Sequence, residues 1–271
     1  MVVPFVGTVR WIASLNLTVE SDWRPWFVDG QVAGYTVQYD KDGVENAFQL
    51  TYATVKGKLP FKLETGYVGV GVDEDVQLFY YFIESERNPR KDPLVFWQTG
   101  GPGCSGLSGI LYEIGPFTFN YQDFDTGSLP TLLLNPFSWT KISSIIFIDA
   151  PVGTGFSYSR SQEAYNVTDT IAAAQNYEFL RKWLLEHPKF RSNPLYVFGD
   201  SYGGKMTPMV TQHILNGIRH HELPVINIHG FFIGNPITDE EADTNSKVEF
   251  AYRVGLLSSE LYESVKESCK G

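Results

Sequence analysis

A serine stands between two glycines in the segment Gly199-Asp-Ser201-Tyr-Gly203, directly after an apolar run. Glycines on both sides allow a sharp strand-to-helix turn that leaves a serine hydroxyl exposed, the arrangement called a nucleophile elbow. This pattern predicts acyl transfer, in which the serine oxygen attacks a carbonyl carbon and forms a covalent acyl-enzyme. The alternative is a glycine-rich turn that carries an incidental serine.

A second glycine-rich segment, Gly100-Gly101-Pro102-Gly103, follows another apolar run earlier in the chain. Acyl transfer needs preorganised N–H donors for the negative charge that develops on the carbonyl oxygen. A glycine-rich loop after a central strand can bring one donor to the serine, and the other donor follows the serine itself. We therefore predict an oxyanion hole made by the backbone amides of Gly101 and Tyr202. The alternative is that this segment is only a tight turn.

Strand patterns alternate with helix patterns around both motifs. Short apolar runs predict buried strands, and longer stretches with apolar residues at helical spacing predict helices. The predicted strands are 94–98, 143–151, 194–199 and the segment INIHGFFIGN; the predicted helices are DTIAAAQNYEFLRKWLLEHP, with Asp169 as N-cap, and KMTPMVTQHILNGI. This alternation predicts an α/β fold, with a mostly parallel sheet and helices on both faces.

Composition restricts the partners. The chain has 271 residues, of which 43% are hydrophobic, and this is enough for the core of a globular domain. The net charge of -10 disfavours nucleic acid and anionic membranes as partners. No uncharged run reaches the roughly 18 residues needed to span a bilayer. The opening segment, MVVPFVGTVRW, lacks the basic region and cleavage site of a signal peptide, so we expect no signal peptide in this chain.

No metal site and no cofactor site is predicted. The tandem His220-His221 lacks a Cys or carboxylate at ligand spacing. The acidic clusters Asp73–Asp75 and Asp239–Asp243 are typical of a solvated turn and of a helix start, respectively.

The cysteines and the glycosylation sequons carry weaker information. Cys104 and Cys269 are the only cysteines, and we expect two free thiols. Asn16-Leu-Thr and Asn166-Val-Thr match the acceptor pattern for N-glycosylation, so Asn16 and Asn166 are candidate sites.

Four long motifs together resemble the serine carboxypeptidase-like family, and the plant members look most similar. The motifs stand in the family's order and spacing: TGGPGCSG, FIDAPVGTGFSYS, GDSYGGKMTP and GFFIGNPITD. The segment KLPFKLETGYVGVG at 58–71 resembles the start of the family's mature chain. The resemblance implies an α/β-hydrolase fold, with the N-terminal half of the family at 58–271 and an incomplete fold. It also implies acyl-enzyme chemistry at Ser201.

The resemblance also implies substrate-binding residues. In the family's peptidases an Asn precedes the GGPG loop and a Glu precedes the serine, and together they hold the substrate's terminal carboxylate. Here Thr99 and Asp200 stand at those positions. Thr and Asp are similar to the plant branch that takes acyl groups from glucose esters and passes them to an alcohol. Both a carboxypeptidase and a glucose-ester-dependent acyltransferase therefore remain open.

The first 57 residues resemble the family's C-terminal region, so the order of the two halves is inverted. The segments QVAGYTVQY and FQLTYATVKG predict a β-hairpin that could add to a sheet edge. In the family, the triad Asp directly precedes the segment matching Met1 onward, and the triad His follows the segment matching Ala53–Gly57. We therefore expect both residues to be missing here and activity at Ser201 to be impaired. None of the five histidines matches the family's triad position.

Three hypotheses follow for this chain. It is an acyl-enzyme catalyst, a non-catalytic relic that binds small esters or peptides around Thr99, Asp200 and Tyr202, or the unstable product of a fused or truncated gene. The expected partner is a small ester or peptide substrate, and the sequence does not indicate an oligomeric state. The resemblance implies a secreted or vacuolar location.

Overall fold

The structure is a computed structural model that describes residues 18–28, 31–40, 50–55, 59–120 and 132–269, with the backbone alone for the first three ranges. The strands in these ranges are β1 Thr18–Val28, β2 Gln31–Asp40, β3 Leu50–Val55, β4 Leu63–Val70, β5 Val76–Ile83, β6 Leu94–Gln98, β7 Phe117–Phe119, β8 Leu132–Leu134, β9 Ser144–Ile148, β10 Tyr158–Ser159, β11 Leu195–Asp200 and β12 Ile228–Gly234. The longer helices are α1 Asp169–Glu186, α2 Gly203–Arg219, α3 Glu240–Arg253 and α4 Ser259–Cys269.

A seven-stranded sheet forms the centre of the described chain. Its order is β10-β5-β9-β6-β11-β12, and β4 pairs with β5. The four strands β9, β6, β11 and β12 run parallel, and β5 pairs antiparallel with β9. The middle strands β6 and β9 are buried along their whole length, because both faces of the sheet are covered there. The predicted α/β class is confirmed.

Each face of this sheet has its own hydrophobic core. On one face, α1 and α2 pack against each other and bury large side chains such as Phe179, Trp183 and Ile214. On the other face, side chains such as Trp97, Ile110 and Phe147 form a second buried cluster. Strands β6 and β11 pair in parallel, so their carboxyl ends lie side by side. The two glycine-rich motifs follow these ends.

A smaller sheet contains the N-terminal strands. Its order is β3-β2-β1-β8-β7, and β2 pairs antiparallel with β3, as the hairpin prediction requires. These strands join β8 through a parallel contact of Val28 with Leu132 and do not extend the central sheet. The small sheet therefore carries the predicted hairpin.

The helix boundaries agree with the sequence patterns except at one cap. Thr168, and not Asp169, is the N-cap of α1, since the Thr168 side chain accepts a hydrogen bond from the amide of Ile171. Asp169 is the first helical residue, and its carboxylate binds other side chains. Asp239 caps α3 through the amide of Ala242. None of the helices in the described ranges has the length and hydrophobicity needed to cross a bilayer.

Candidate active site

Ser201 occupies the turn between β11 and α2. Its backbone has φ +53°, in the left-handed region that non-glycine residues rarely adopt. The amide of Ser201 donates to the carbonyl of Gly234 at 3.0 Å, and its carbonyl accepts from the amide of Ile237 at 3.0 Å. Such strain persists only where surrounding contacts hold it, and it is common at catalytic nucleophiles. The turn has the geometry of a nucleophile elbow.

The flanking glycines are required by close packing. A Cβ at Gly199 would overlap the carbonyl oxygen of Gly203, and a Cβ at Gly203 would overlap the carbonyl oxygen of Gln98. Helix α2 therefore approaches the ends of β6 and β11 more closely than any side chain at these two positions allows. Close packing therefore requires both glycines, whatever the role of the serine between them.

The Gly100–Gly103 loop lies against the serine. A Cβ built at Gly100 would be 2.8 Å from Ser201 Cβ and 3.3 Å from Ser201 Oγ. The next residue, Gly101, has φ +115°. The backbone N–H groups of Gly101 and Tyr202 donate no hydrogen bond to any described residue. Both predicted oxyanion donors are thus unpaired within the described residues: Tyr202 directly follows the serine, and Gly101 directly follows Gly100, which packs against it. Their role remains a prediction.

Asp149 binds the residues that directly follow the Gly100–Gly103 loop and so anchors the loop, a role that the sequence analysis missed. Its Oδ1 accepts hydrogen bonds from Ser105 Oγ at 2.6 Å and from the Gly106 amide at 2.8 Å. Its Oδ2 accepts from the Phe156 amide at 2.9 Å. Burial raises the pKa of the Asp149 carboxyl, although these hydrogen bonds act in the opposite direction. The available signal was one acidic residue at the end of an otherwise apolar strand.

Tyr202 is held by residues from two helices. Its hydroxyl lies 2.8 Å from Asp169 Oδ1, and Lys205 Nζ lies 2.7 Å from Asp169 Oδ2. The Lys205 ammonium also lies 5.2 Å from the centroid of the Tyr202 ring. The hydrogen bond from Lys205 lowers the pKa of Asp169, and the bond to Asp169 raises the pKa of Tyr202. This network fixes the residue that follows the nucleophile.

Thr99 and Asp200 are the predicted substrate-binding residues. Thr99 directly follows β6, and Asp200 is the last residue of β11. Thr99 is half-buried and lines a cavity of about 230 Å³ beside Tyr202, and Asp200 does not line it. Asp200 is half-buried at the end of β11. Loss of solvent around the Glu113 carboxyl raises its pKa, and the charge of Asp200 raises it further. Glu113, which sequence reasoning missed, therefore lies within electrostatic reach of Asp200.

None of the three histidines in α2 or directly after it lies close enough to Ser201 to act as its base. Ser201 Oγ has no hydrogen-bond partner among the described residues. His213 lies ten residues beyond Gly203, the first residue of α2, and therefore about 15 Å along the helix. His220 and His221 follow the end of the same helix and lie further away. A general base must lie within roughly 3.2 Å of the hydroxyl, directly or through one water.

The two remaining histidines are also remote. His187 caps the far end of α1, about 27 Å along that helix from Asp169, which binds Tyr202. His229 lies in β12 five residues before Gly234, and Gly234 is paired with Asp200, so about 16 Å of strand separates it from the serine turn. All five histidines of the chain are therefore too far from Ser201 to act as its base.

The candidate glycosylation residues and the two cysteines differ in what the structure describes of them. Asn166 is exposed just before α1, and Asn16 falls outside the described residues. Cys104 and Cys269 are both free and exposed.

The chain is similar to known proteins in sequence and in fold. The sequence profile of the serine carboxypeptidase family matches the chain in two blocks, residues 1–58 and 55–271. Serine carboxypeptidase-like 2 of Arabidopsis thaliana is 54% identical over 216 residues, covering 80% of this chain and 49% of that protein. Serine carboxypeptidase-like 19 of the same plant is 49% identical, covering 80% of this chain and 46% of that protein. The chain thus spans about half the length of these relatives.

A solved structure shows the same fold. The prohormone-processing carboxypeptidase Kex1Δp of Saccharomyces cerevisiae matches with a TM-score of 0.60 at 22% identity, covering 77% of this chain and 48% of that chain. The central sheet and its helices therefore form part of an α/β-hydrolase fold. From the two profile matches and the identity to its plant relatives, the chain belongs to the serine carboxypeptidase family.

Proposed function

We propose that Ser201 is the acyl-accepting nucleophile of a serine carboxypeptidase-like site. The observation that carries this proposal is the strained turn at φ +53°, with Gly100 packed against the serine and Ser201 Oγ unpaired within the described residues. Ser201 Oγ forms a bond to the substrate's carbonyl carbon, and the amides of Gly101 and Tyr202 bind the resulting oxyanion. The carbonyl re-forms as the leaving alcohol or amine departs, which leaves an acyl group on Ser201.

The proton on Ser201 Oγ needs a base, and none of the five histidines reaches it. Lys205 does not replace them, because its hydrogen bond to Asp169 raises its pKa and keeps it protonated. Serine enzymes that lose a triad member keep roughly a thousandfold to ten-thousandfold acceleration over water. We therefore expect the chain by itself to be a weak catalyst that forms and releases its acyl-enzyme slowly. The alternative is a pseudoenzyme that binds esters without turnover.

The charges around Ser201 favour neutral esters over peptides that end in a carboxylate. Asp200 directly precedes Ser201, and no cationic side chain of the described residues lines the cavity beside Tyr202. The carboxyl group of Asp200 would therefore repel the terminal carboxylate of a peptide substrate, and no lining cation would bind it. We therefore favour acyl transfer from an ester, as in the acyltransferase branch with Thr and Asp at these positions, over carboxypeptidase activity.

We also propose a location for the protein and a modification at Asn166. Family membership and the exposed sequon at Asn166 support a secreted or vacuolar protein that is glycosylated there.

Chemical rescue tests the proposal. Hydrolysis of p-nitrophenyl acetate is measured for wild type and Ser201→Ala, with and without added imidazole. We expect both proteins to be slow without imidazole, and imidazole to accelerate only the wild type, by at least about tenfold above its effect on free ester. If the wild type melts cooperatively but imidazole does not accelerate its hydrolysis of the ester, the result would count against Ser201 as the nucleophile. Fast hydrolysis by the wild type without imidazole would contradict the claim that the chain lacks a base for Ser201.

A further inference from the structure

Two side-chain amides meet in the core next to the active-site loop. Gln98 is the last residue of β6, and Asn176 lies in α1. Asn176 Nδ2 donates a hydrogen bond to Gln98 Oε1 at 2.7 Å. Gln98 is only 2% exposed and Asn176 only 1% exposed. The pair is therefore a polar contact inside the core that joins the sheet to α1.

This contact leaves half of each amide unpaired. Gln98 Nε2 and Asn176 Oδ1 have no hydrogen-bond partner within the described residues. Two amides joined by one hydrogen bond always leave one NH2 group and one carbonyl oxygen, whichever way the two side chains are turned. Buried polar groups are nearly always paired in native proteins, so a spare donor and a spare acceptor side by side indicate a ligand or bound solvent.

A cavity adjoins the pair. Gln98 and Asn176 both line the cavity of about 230 Å³ beside Tyr202. Thr99 also lines it, and the Thr99 hydroxyl is a third buried polar atom without a partner. Much of the remaining lining is apolar, including Ile148 and Met206. An apolar wall with a few polar groups is the usual composition of a small-molecule site.

The lining favours a neutral ligand. Asp169 is the one acidic or basic residue among the lining residues, and its carboxylate is already bound by Lys205 and by the Tyr202 hydroxyl. No cation lines the cavity to bind an anionic group. A hydroxyl group is both donor and acceptor, so it can pair with the spare amide donor and the spare amide acceptor together.

Two residues that line the cavity adjoin the active-site motifs, although Ser201 itself does not line it. Tyr202 lines the cavity and directly follows the nucleophile. Thr99 directly precedes Gly100, which lies against Ser201. A volume of about 230 Å³ is many times what a single water needs, which leaves room for a small polyhydroxyl group.

We propose that this cavity binds the neutral, hydroxyl-bearing group of an ester whose carbonyl lies at Ser201, with Gln98 and Asn176 as its hydrogen-bonding residues. The inference rests on the proposed function, because it assigns the non-reacting part of that substrate. It gives Gln98 and Asn176 a role in specificity and none in the bond-making step.

The test measures binding without chemistry. Glycerol and D-glucose, two neutral polyols, are titrated into the Ser201→Ala variant by saturation-transfer difference NMR, with sodium acetate as the charged comparison. The cavity variant adds Gln98→Leu and Asn176→Leu together, so that neither amide is left without a partner. The matched control adds Gln212→Leu and Asn216→Leu, which removes an exposed Gln–Asn pair joined at 2.9 Å on α2.

We expect saturable binding of at least one polyol, no saturable binding of acetate, and a dissociation constant at least about tenfold higher in the cavity variant than in the control. Thr99→Val is the second variant in case the double replacement fails to fold, and it should also weaken binding. The inference is overturned if neither polyol saturates, which indicates a solvent-filled cavity, or if the cavity and control variants bind alike. Since Ser201 is already alanine, these outcomes are independent of whether Ser201 reacts.

Discussion

Gly100 lies directly against Ser201, with the position of a Cβ at Gly100 only 2.8 Å from Ser201 Cβ and 3.0 Å from the Asp200 carbonyl oxygen. A methyl group there would push apart the two motifs that form the candidate site. The close approach of β6 to the serine turn is therefore possible only with glycine at this position. The loop and the serine turn are packed against each other with no room for a side chain at Gly100.

Gly100→Ala should lower the free energy of unfolding by about 1–3 kcal/mol, because the new methyl overlaps backbone that cannot move aside. It should also abolish imidazole-rescued ester hydrolysis. Urea unfolding and the rescue assay check both results. Gly230→Ala is the matched control, since its Cβ would make only ordinary contacts at 3.7 Å with Tyr196. Equal behaviour of the two variants would contradict the steric argument.

Asp149→Asn should destabilise the protein by about 1–3 kcal/mol, because the amide cannot accept from all three of the donors that the carboxylate binds. An NH2 group would face either the Phe156 amide or the pair formed by Ser105 and Gly106. Denaturant midpoints measure the change. The exposed Asp73→Asn is the comparison and should have little effect. An Asp149→Asn midpoint equal to that of the wild type would show that Asp149 does not anchor the loop.

The ion pair of His187 with Glu64 should make stability depend on pH. His187 Nε2 lies 2.7 Å from Glu64 Oε1. Burial lowers the pKa of His187, but its hydrogen bonds to Glu64 and to the Trp183 carbonyl raise it overall above 6.5. The hydrogen bond from His187 lowers the pKa of Glu64 below 4.5.

The sign follows from these directions. The contribution of His187 is fully present below 6.5 and is lost as the pH rises through its folded pKa. The contribution of Glu64 is present above 4.5 and is lost as the pH falls through its folded pKa. His187→Gln should therefore destabilise most between 4.5 and 6.5, and much less at about pH 8.5. Urea titrations at both pH values measure this, with His213→Gln as control. An effect independent of pH would contradict the ion pair.

β12 pairs with β11 on one side and with no strand of the described residues on the other, and this edge should promote self-association. Phe231, Phe232 and Ile233 are 45%, 52% and 43% exposed on this edge strand of the central sheet. Unpaired, apolar strand edges are templates for pairing with another chain. Phe232→Lys should reduce light scattering at high protein concentration, whereas Val72→Lys, in an exposed turn, should not. A wild type that stays monomeric at that concentration would contradict the prediction.

The α/β class and the nucleophile elbow were predictable because their signals are local. Apolar runs predicted β6, β9, β11 and β12, and the Gly-x-Ser-x-Gly pattern predicted the turn between β11 and α2. Gly199 shows why a local signal was enough, since a Cβ there would overlap the carbonyl oxygen of Gly203 in the same motif.

Contacts between distant segments could not be read from the sequence. The bond between Ser105 and Asp149 spans 44 positions, and the bond between Gln98 and Asn176 spans 78. Asp169 was predicted as a helix cap because its residue type suits that position. Thr168 takes the cap instead, and Asp169 binds Tyr202 and Lys205 from α2, which only the packing of the two helices brings near.

The rate of fluorophosphonate adduct formation, followed by intact mass, tests the central claim most directly: Ser201 has nucleophile geometry without an imidazole base. We predict that the folded wild type is labelled slowly and incompletely, that imidazole accelerates the labelling, and that Ser201→Ala is never labelled. Rapid stoichiometric labelling of wild type without imidazole would contradict the claim, because it would show that another residue of this chain already activates Ser201.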